Sequence, residues 1–497
     1  MPRLRKILFY LVVLVSFFLV RRSFVNDSGK EQFPVVVIGS GLAGLSAVNQ
    51  LLNDDVPAVL LDKASSFGGN SVKAASGISG AGTSVQKKHH VEDSPELFLQ
   101  DTLSSAKGRG VEKLMKVMAD ESAGAIAWLQ ERFGLKLDLL SQLGGQSVPR
   151  THRSDGPLPP GAELVKALTR RIKNVSRDYP DKVKIQLDAK VTDIKINKET
   201  NRVEYVVYRD ASNQEQVLRT GNVLVATGGF SYSQDMLKKY APQVAGLPTT
   251  NCLLTTGDGL NILQSLGAHL VDMDQIQIHP TGFVDPKDRK NNWKFLAAEA
   301  LRGLGGILVN PSTGKRFVNE LETRDTVTES IRKACKKSEG VSLLVISENT
   351  FQDYKSSVEF YISKGLVQKM PISSLVSEYN LPISATEIAS DLIEYSTEKK
   401  DKFDRVHKIN TFGDAVTADT EVYVAEITPV VHFTMGGVKI DEFSQVLNES
   451  DSPVADGLYA AGEITYGVHG SNRLGGSSLL ECVVFGRIAA QHISRNF

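Results

Sequence analysis

Pro34-Val35-Val36-Val37-Ile38-Gly39-Ser40-Gly41-Leu42-Ala43-Gly44 is the stretch whose reading decides the fold. Its first five residues form a short, β-branched run of the kind that makes a buried strand. A Gly-x-Gly-x-x-Gly turn follows, and apolar residues at Leu45, Val48, Leu51 and Leu52 then recur at helical spacing. Val59-Leu60-Leu61-Asp62 is a second strand that ends in an acid. Strand, glycine turn, helix and second strand together give the full context of a Rossmann dinucleotide site. Gly39 permits the tight turn, Gly41 lets backbone approach a pyrophosphate, and Gly44 lets the helix pack on the strand. Amide N–H groups at the helix start then face the phosphates. Asp62 lies 23 residues after Gly39, where a ribose-binding carboxylate belongs. These residues do not separate FAD from NAD.

The chain around that turn is rich in further glycine signals. Gly68-Gly69-Asn70-Ser71 precedes Ser76-Gly77-Ile78-Ser79-Gly80-Ala81-Gly82, so the backbone can run close against a large flat ligand, which points to FAD. Val223-Leu224-Val225-Ala226-Thr227-Gly228-Gly229 is a strand entering a glycine turn, and Thr256-Gly257-Asp258-Gly259 opens another helix. Gly457 to Glu463 and Gly475 to Leu480 close the series. The spread of these elements predicts a cofactor domain interrupted by an insertion.

Composition fits a globular chain of two or three domains: 497 residues, 41% hydrophobic and 23% charged. Basic and acidic residues number 57 each, so no global positive field exists to bind nucleic acid. Cys252, Cys335 and Cys482 are too dispersed for a disulfide scaffold or a CxxC metal motif. The segment Glu398 to Lys408 reads as a solvated surface or loop. Arg3, Arg5 and Lys6 precede an apolar run of 14 residues, Ile7 to Val20, and Arg21-Arg22 follows it. That pattern reads as an uncleaved signal anchor, with a mitochondrial presequence as the rival. The expected location is the endoplasmic reticulum, luminal or anchored, and/or the mitochondrial intermembrane space, not plain cytosol. Membrane contact is expected only through this segment.

Beyond single motifs, the ordered set resembles FAD proteins of the fumarate reductase/succinate dehydrogenase flavoprotein group. It carries Gly39 to Gly44, Gly68 to Ser71, Ala226 to Gly229 and Ala461 to Glu463. Gln277-Ile278-His279-Pro280-Thr281, Glu299-Ala300-Leu301-Arg302-Gly303, Gly314 to Glu320, Thr323-Arg324-Asp325, His432 to Gly437 and His469 to Gly476 sharpen it. Within the group, the set is similar to the soluble fumarate reductases and the flavin domain of flavocytochrome c. The resemblance implies an α/β fold in which a Rossmann-type FAD-binding domain (33–273 and 433–497) carries an inserted α+β capping, or clamp, domain (274–432) after an N-terminal segment and linker (1–32). It implies a cofactor site of Gly39, Ser40, Gly41, Leu42, Ala43, Gly44, Asp62, Lys63, Gly69, Asn70, Ser71, Gly77, Ile78, Val191, Ala226, Thr227, Gly228, Asp258, Glu463, Ser478 and Leu479. Members with covalent flavin carry a histidine where this chain has Asn70, so the FAD is expected to be noncovalent.

The same resemblance implies a reaction. Fumarate is reduced to succinate by hydride from N5 of reduced FAD and a proton from Arg324, which Glu299 and Arg302 reload. His432, Arg473 and Gly476 match positions on one carboxylate, and His279 matches the position near the other. An arginine acid, with a pKa above about 12, suits only a strongly basic, carbanion-like carbon. Ala298 stands where bacterial relatives have Thr, so one hydrogen bond to a carboxylate is expected to be missing. No resident metal ligand set is visible. With no CxxCH or iron–sulfur run, reducing equivalents are expected from reduced free flavins or a reduced-flavin protein. The role implied is flavin reoxidation when oxygen is scarce, with a functional link to a thiol oxidase. Alternatives that keep the fold are a related oxidoreductase acting on urocanate, a 3-ketosteroid or aspartate, and a non-enzymatic flavin-binding protein.

Overall fold

The computed structural model describes residues 24–25 and 31–497; the apolar N-terminal run lies outside them. The predicted first strand forms as Val35–Ile38 and occupies the middle of a five-stranded parallel sheet. Its neighbours are Ala58–Leu61 and Val223–Val225, with Val183–Gln186 and Leu458–Ala460 at the edges. A parallel sheet is covered on both faces, so its central strands read as continuous apolar runs. Val35, Val36 and Val37 are accordingly fully buried.

The helix Leu42–Asn53 packs between the helices Ser477–Arg495 and Pro160–Asp178. Two of the motif glycines have a visible steric reason. Gly39 holds φ at +106°, and a Cβ there would stand 2.3 Å from the Ala226 carbonyl oxygen. A Cβ on Gly44 would stand 1.9 Å from the Gly39 oxygen. The C-terminal helix therefore completes a cofactor layer that the N-terminal motif began, more than 400 residues away by the numbering of the two helices.

A second, antiparallel sheet has the order Ile276–Phe283, Glu421–Thr434, Ser342–Ile346, Ile307–Asn310 and Lys315–Arg316, with Gln368–Pro371 also paired to Glu421–Thr434. Alternate residues feed two separate cores. Leu308, Leu344 and Ala425 pack with Val327 and Ile331, whereas Val309, Leu343 and Val424 pack with Leu375, Ile388 and Leu392. This period of two is what a strand requires when both faces are covered. The mixed α/β flavoprotein architecture expected from the sequence is present.

The pairing of Ile276–Phe283 with Glu421–Thr434 is irregular at two places. Between Gln277/Phe433 and Ile278/Val431 the extra residue is His432. Between His279/Val430 and Gly282/Thr428 the extra residue falls at Pro280-Thr281. Pro280 and Pro429 sit in this second irregularity, and neither can donate a ladder hydrogen bond. Bulges re-aim side chains, and here they flank both histidines of the site described below.

Gly44→Ala should destabilise the protein by at least ~2 kcal/mol, because the added carbon meets backbone that cannot yield. A urea denaturation midpoint within error of the unchanged protein would show that the turn tolerates the contact.

Candidate active site

A cavity of about 880 Å³ opens beside the Gly39 to Gly44 turn. It is lined by Gly39, Gly41, Leu42, Ala43, Asp62, Lys63, Gly69, Asn70, Ser71, Gly77, Val191, Ala226, Thr227, Gly228, Asp258, Glu463, Ser478 and Leu479. Ser40, Gly44 and Ile78, expected in the same set, lie behind the lining. Ser40 donates from its N–H and hydroxyl to Asp62 Oδ2, both at 2.6 Å. Gly44 is pressed against Gly39, and Ile78 is buried in a strand pairing with His152.

The cavity suits a dinucleotide. A Cβ on Gly41 would meet only Ser71 Oγ at 3.8 Å, and at Gly69 and Gly228 nothing lies within 4 Å. The glycine backbone is thus open to a ligand. The first helical bond is made by Leu45 N–H, which leaves the N–H groups of Ala43 and Gly44 without helix acceptors. The buried Thr227 hydroxyl has no hydrogen-bond partner among the described residues. Lys63 spans the rim, donating to Thr256 Oγ1 at 2.7 Å and Asp258 Oδ2 at 2.9 Å. Burial by itself would raise the Asp258 pKa, but the Lys63 hydrogen bond and charge hold it below the ordinary value.

The same cavity reaches His279, His432, Arg324, Arg473 and Gly476. Glu299 and Arg302 stand behind Arg324, each about 1% exposed. Arg324 opens the helix Arg324–Ala334. Its Nε donates to Glu299 Oε2 at 2.8 Å, Nη2 to the same oxygen at 2.5 Å, and Nη1 to Gln277 Oε1 at 2.8 Å. Arg302 Nη2 lies 3.4 Å from Glu299 Oε1, which also accepts from Gly144 N–H at 3.1 Å. Burial pushes the Glu299 pKa up, but Arg324 and Arg302 outweigh it and keep the carboxylate charged. An ordinary surface ion pair is ruled out for Glu299 and Arg302 by their burial.

Arg473 is 3% exposed and stacks 4.5 Å over the Phe433 ring. Among the described residues no carboxylate lies within ion-pair distance of it, and its Nε has no hydrogen-bond partner. Burial, then the charge of Arg324, pushes its pKa down. His279 and His432 meet edge to face, with ring centroids 5.0 Å apart. His279 Nδ1 accepts from Thr281 N–H at 3.2 Å, which places its proton on Nε2. That Nε2 is buried, makes no hydrogen bond among the described residues and lies 3.9 Å from Glu299 Oε2. His432 Nδ1 shares a 2.8 Å hydrogen bond with Thr250 Oγ1. Burial, followed by the Arg324 charge, pushes both histidines well below their ordinary pKa, so both are neutral at pH 7. A carboxylate-sized anion therefore finds buried, unused donors from an arginine and a histidine here.

Several residues of this site carry no role in the sequence reading. Gln277 bridges Arg324 to the chain at Arg473, whose carbonyl it meets at 2.8 Å. Its place in the Gln-Ile-His run was the only signal. The segment Glu398 to Lys408 is not simply a solvated loop: Arg405 is fully buried. Arg405 donates to Arg302 O at 2.7 Å, Gly306 O at 3.0 Å and Glu320 Oε2 at 2.8 Å. Arg316 joins Glu320 and Asp401 at 2.7 and 2.8 Å. Arg302 in turn donates to the Glu320 carbonyl at 2.5 Å. Arg405 and Arg316 thus brace Arg302 from behind. His152 is a buried strand residue bonded to Arg150 O and Thr83. The three cysteines are unpaired, and among the described residues no cluster could hold a metal ion.

An FAD binding domain family matches residues 34–479. The chain belongs to this FAD-binding family, among the fumarate reductases. It is 55% identical to fumarate reductase 1 of Saccharomyces cerevisiae over 93% of this chain and 99% of that one. It is 43% identical to the fumarate reductase of Schizosaccharomyces pombe over 96% and 92% of the two chains. Among solved structures, the open conformation of a flavocytochrome c3 fumarate reductase superposes with a TM-score of 0.71 at 30% identity, covering 94% of this chain and 78% of that one. FAD is accordingly the cofactor for which this family's glycine turn and cavity are built.

Arg405→Met should leave Glu320 with one arginine and destabilise the protein by ~3–5 kcal/mol, read by thermal melting; a melting point within a degree or so of the parent would remove the brace. Glu463 gives a pH prediction. Burial pushes its carboxyl up to about 7, although Thr434 donates to it from both N–H and hydroxyl. A raised acid contributes stability below its ordinary value of 4.5 and loses it as pH rises through about 7. The flavin-free protein should therefore weaken between those pH values, and Glu463→Gln should flatten up to ~3 kcal/mol of that slope. An unchanged slope would show that Glu463 does not titrate there.

Proposed function

We propose that this protein is a fumarate reductase that converts fumarate to succinate with FAD. The observation that carries the reading is Arg473, a buried cation without a carboxylate partner among the described residues, beside two neutral histidines on the wall of the cofactor cavity. A dicarboxylate supplies the missing anion, and the names of the two yeast relatives agree with this choice.

When bound and reduced, FAD supplies a hydride. The residues of the chain do the remaining work. The Arg473 guanidinium can bind a carboxylate as a fork, with His432 beside it. His279 Nε2–H donates to the substrate from the adjoining wall. Drawing electron density toward the carboxylates makes the alkene more electrophilic, and the effect is greatest where water is excluded. Arg324 holds the proton on its guanidinium, aimed by Glu299 and Gln277. One carbon of the double bond takes the hydride and the other takes this proton, giving two new C–H bonds and a single C–C bond. Proton transfer from Arg302 through Glu299 restores Arg324, along the 3.4 Å and 2.8 Å contacts of the Glu299 carboxylate.

The FAD is proposed to be noncovalent. Asn70 offers no nucleophile, and its amide is committed to Asn251, Thr255 and Cys252 N–H. We assign 33–273 and 433–497 to the cofactor domain and 274–432 to a cap that closes over the substrate. Electrons are proposed to arrive from reduced free flavins or a reduced-flavin protein, and a thiol oxidase is the proposed functional link. The basic, apolar segment before Ser23 supports placement in the endoplasmic reticulum and/or the mitochondrial intermembrane space.

Anaerobic stopped-flow tests the reading. Dithionite-reduced protein lacking residues 1–30, freed of excess reductant, should be reoxidised rapidly and stoichiometrically by fumarate but not by urocanate or a 3-ketosteroid. Arg324→Ala should slow this by at least ~10³-fold, in the range of a lost general acid, while FAD and succinate still bind. Substantial residual turnover would transfer the proton to another donor.

A further inference from the structure

Lys73 is a cation of the cavity that the reaction above leaves unused. It ends the short turn Ser71–Lys73 and shares the lining with His432, Arg324 and Arg473. Its ammonium donates to Thr250 O at 3.3 Å and lies 5.6 Å from the centroid of the Trp293 ring. Among the described residues no carboxylate lies within ion-pair distance of it. Of the other lysines of the lining, two face a carboxylate and Lys294 is buried. Lys63 is paired with Asp258 at 2.9 Å, and Lys190 faces the same carboxylate at 3.5 Å. Lys294 turns its ammonium to Arg289 O at 2.7 Å.

The placement of Lys73 relative to the substrate groups is set by one residue. Thr250 takes the Lys73 ammonium on its carbonyl and meets His432 Nδ1 with its hydroxyl. Lys73 therefore neighbours His432. It is also more accessible than Arg473, which is 3% exposed, while Lys73 is only half-buried. Phe360, 43% exposed, shares this lining and marks the side open to solvent. One carbonyl takes only one of the three donors of the ammonium. Burial lowers the pKa of this ammonium, more than the neighbouring Cys252 raises it.

Resting on the fumarate reading above, we propose that Lys73 is the capture residue for the second negative charge of the substrate. It draws the dianion to the cavity mouth, hands it to His432 and Arg473, and sets the preference for dicarboxylates over monoanions. A charge at an incompletely screened mouth acts on association more than on the chemical step.

The test uses the FAD-loaded enzyme with reduced viologen as donor. Fumarate and its monomethyl ester are compared at ionic strengths between about 0.01 and 0.15 M, for the parent, Lys73→Met and Lys73→Arg. Lys73→Met should raise KM for fumarate ~10-fold with kcat within about twofold, the size expected for one partly screened charge. It should also flatten the salt dependence of kcat/KM and leave the monoester nearly unchanged; Lys73→Arg should restore most of the effect. The inference fails if both substrates shift together, if neither shifts, or if Lys73→Met purifies without FAD, which would give the lysine to the cofactor. Failure of the fumarate reading itself would appear in the parent enzyme, as no turnover with either substrate.

Discussion

Glu299 is a carboxylate buried where an ionised acid cannot persist alone. Desolvation costs several kcal/mol per ion, and only close, well-bonded partners offset it. Arg324 and Arg302 supply that compensation from two sides, and Gly144 N–H completes it. The consequences extend through the protein. Arg324 is fixed against Gln277, and Gln277 holds the backbone of Arg473. Arg302 is fixed against the Glu320 carbonyl, and Glu320 is held by Arg316 and Arg405. A continuous line of buried ionic and amide groups thus runs from the cavity wall to the 398–408 segment. Loss of one carboxylate would leave two buried cations uncompensated, which ties the precision of the site to the stability of the second sheet.

The charge balance at the cavity is deliberately incomplete. Glu299 neutralises Arg324, while Arg473 and Lys73 have no carboxylate within reach among the described residues. The histidines do not add charge, because burial and the neighbouring arginines keep them neutral. Neutral imidazoles then act as directional donors, and the arginine acts as the anion anchor. A site of this kind is unfavourable when empty and gains stability when an anion binds. It also explains why net charge of the whole chain is uninformative: the excess is local, in a protein whose acidic and basic residues are equal in number.

The two sheets divide the labour. The parallel sheet brings the Gly39 to Gly44 turn and the Ala226 to Gly228 turn together, since both lie just past the C-terminal ends of adjacent parallel strands. The antiparallel sheet contributes Gln277, His279 and His432 from a single strand pair. Strand Glu421–Thr434 joins the two: its last residue donates to Glu463, a residue of the cofactor cavity.

The sequence by itself determined the dinucleotide turn, because strand, glycines and helix are local and each glycine answers a short-range steric demand. It also determined the residue types of the site, since fixed motifs carry His279, Glu299, Arg302, Arg324, His432 and Arg473. Only the tertiary structure decided how they act. That Glu299 and Arg302 are buried, and that Arg473 and Lys73 lack carboxylates among the described residues, depend on groups far away in the chain. Ser40, Gly44 and Ile78 fall within motif positions yet do not line the cavity, because a motif does not state which of its residues reach the surface that meets the ligand. Arg405 shows the limit most clearly. Most of its neighbours between 398 and 408 are charged or polar, so local composition reads as solvated surface. Burial is set by long-range packing, which here places its guanidinium against Glu320 and the carbonyls of Arg302 and Gly306.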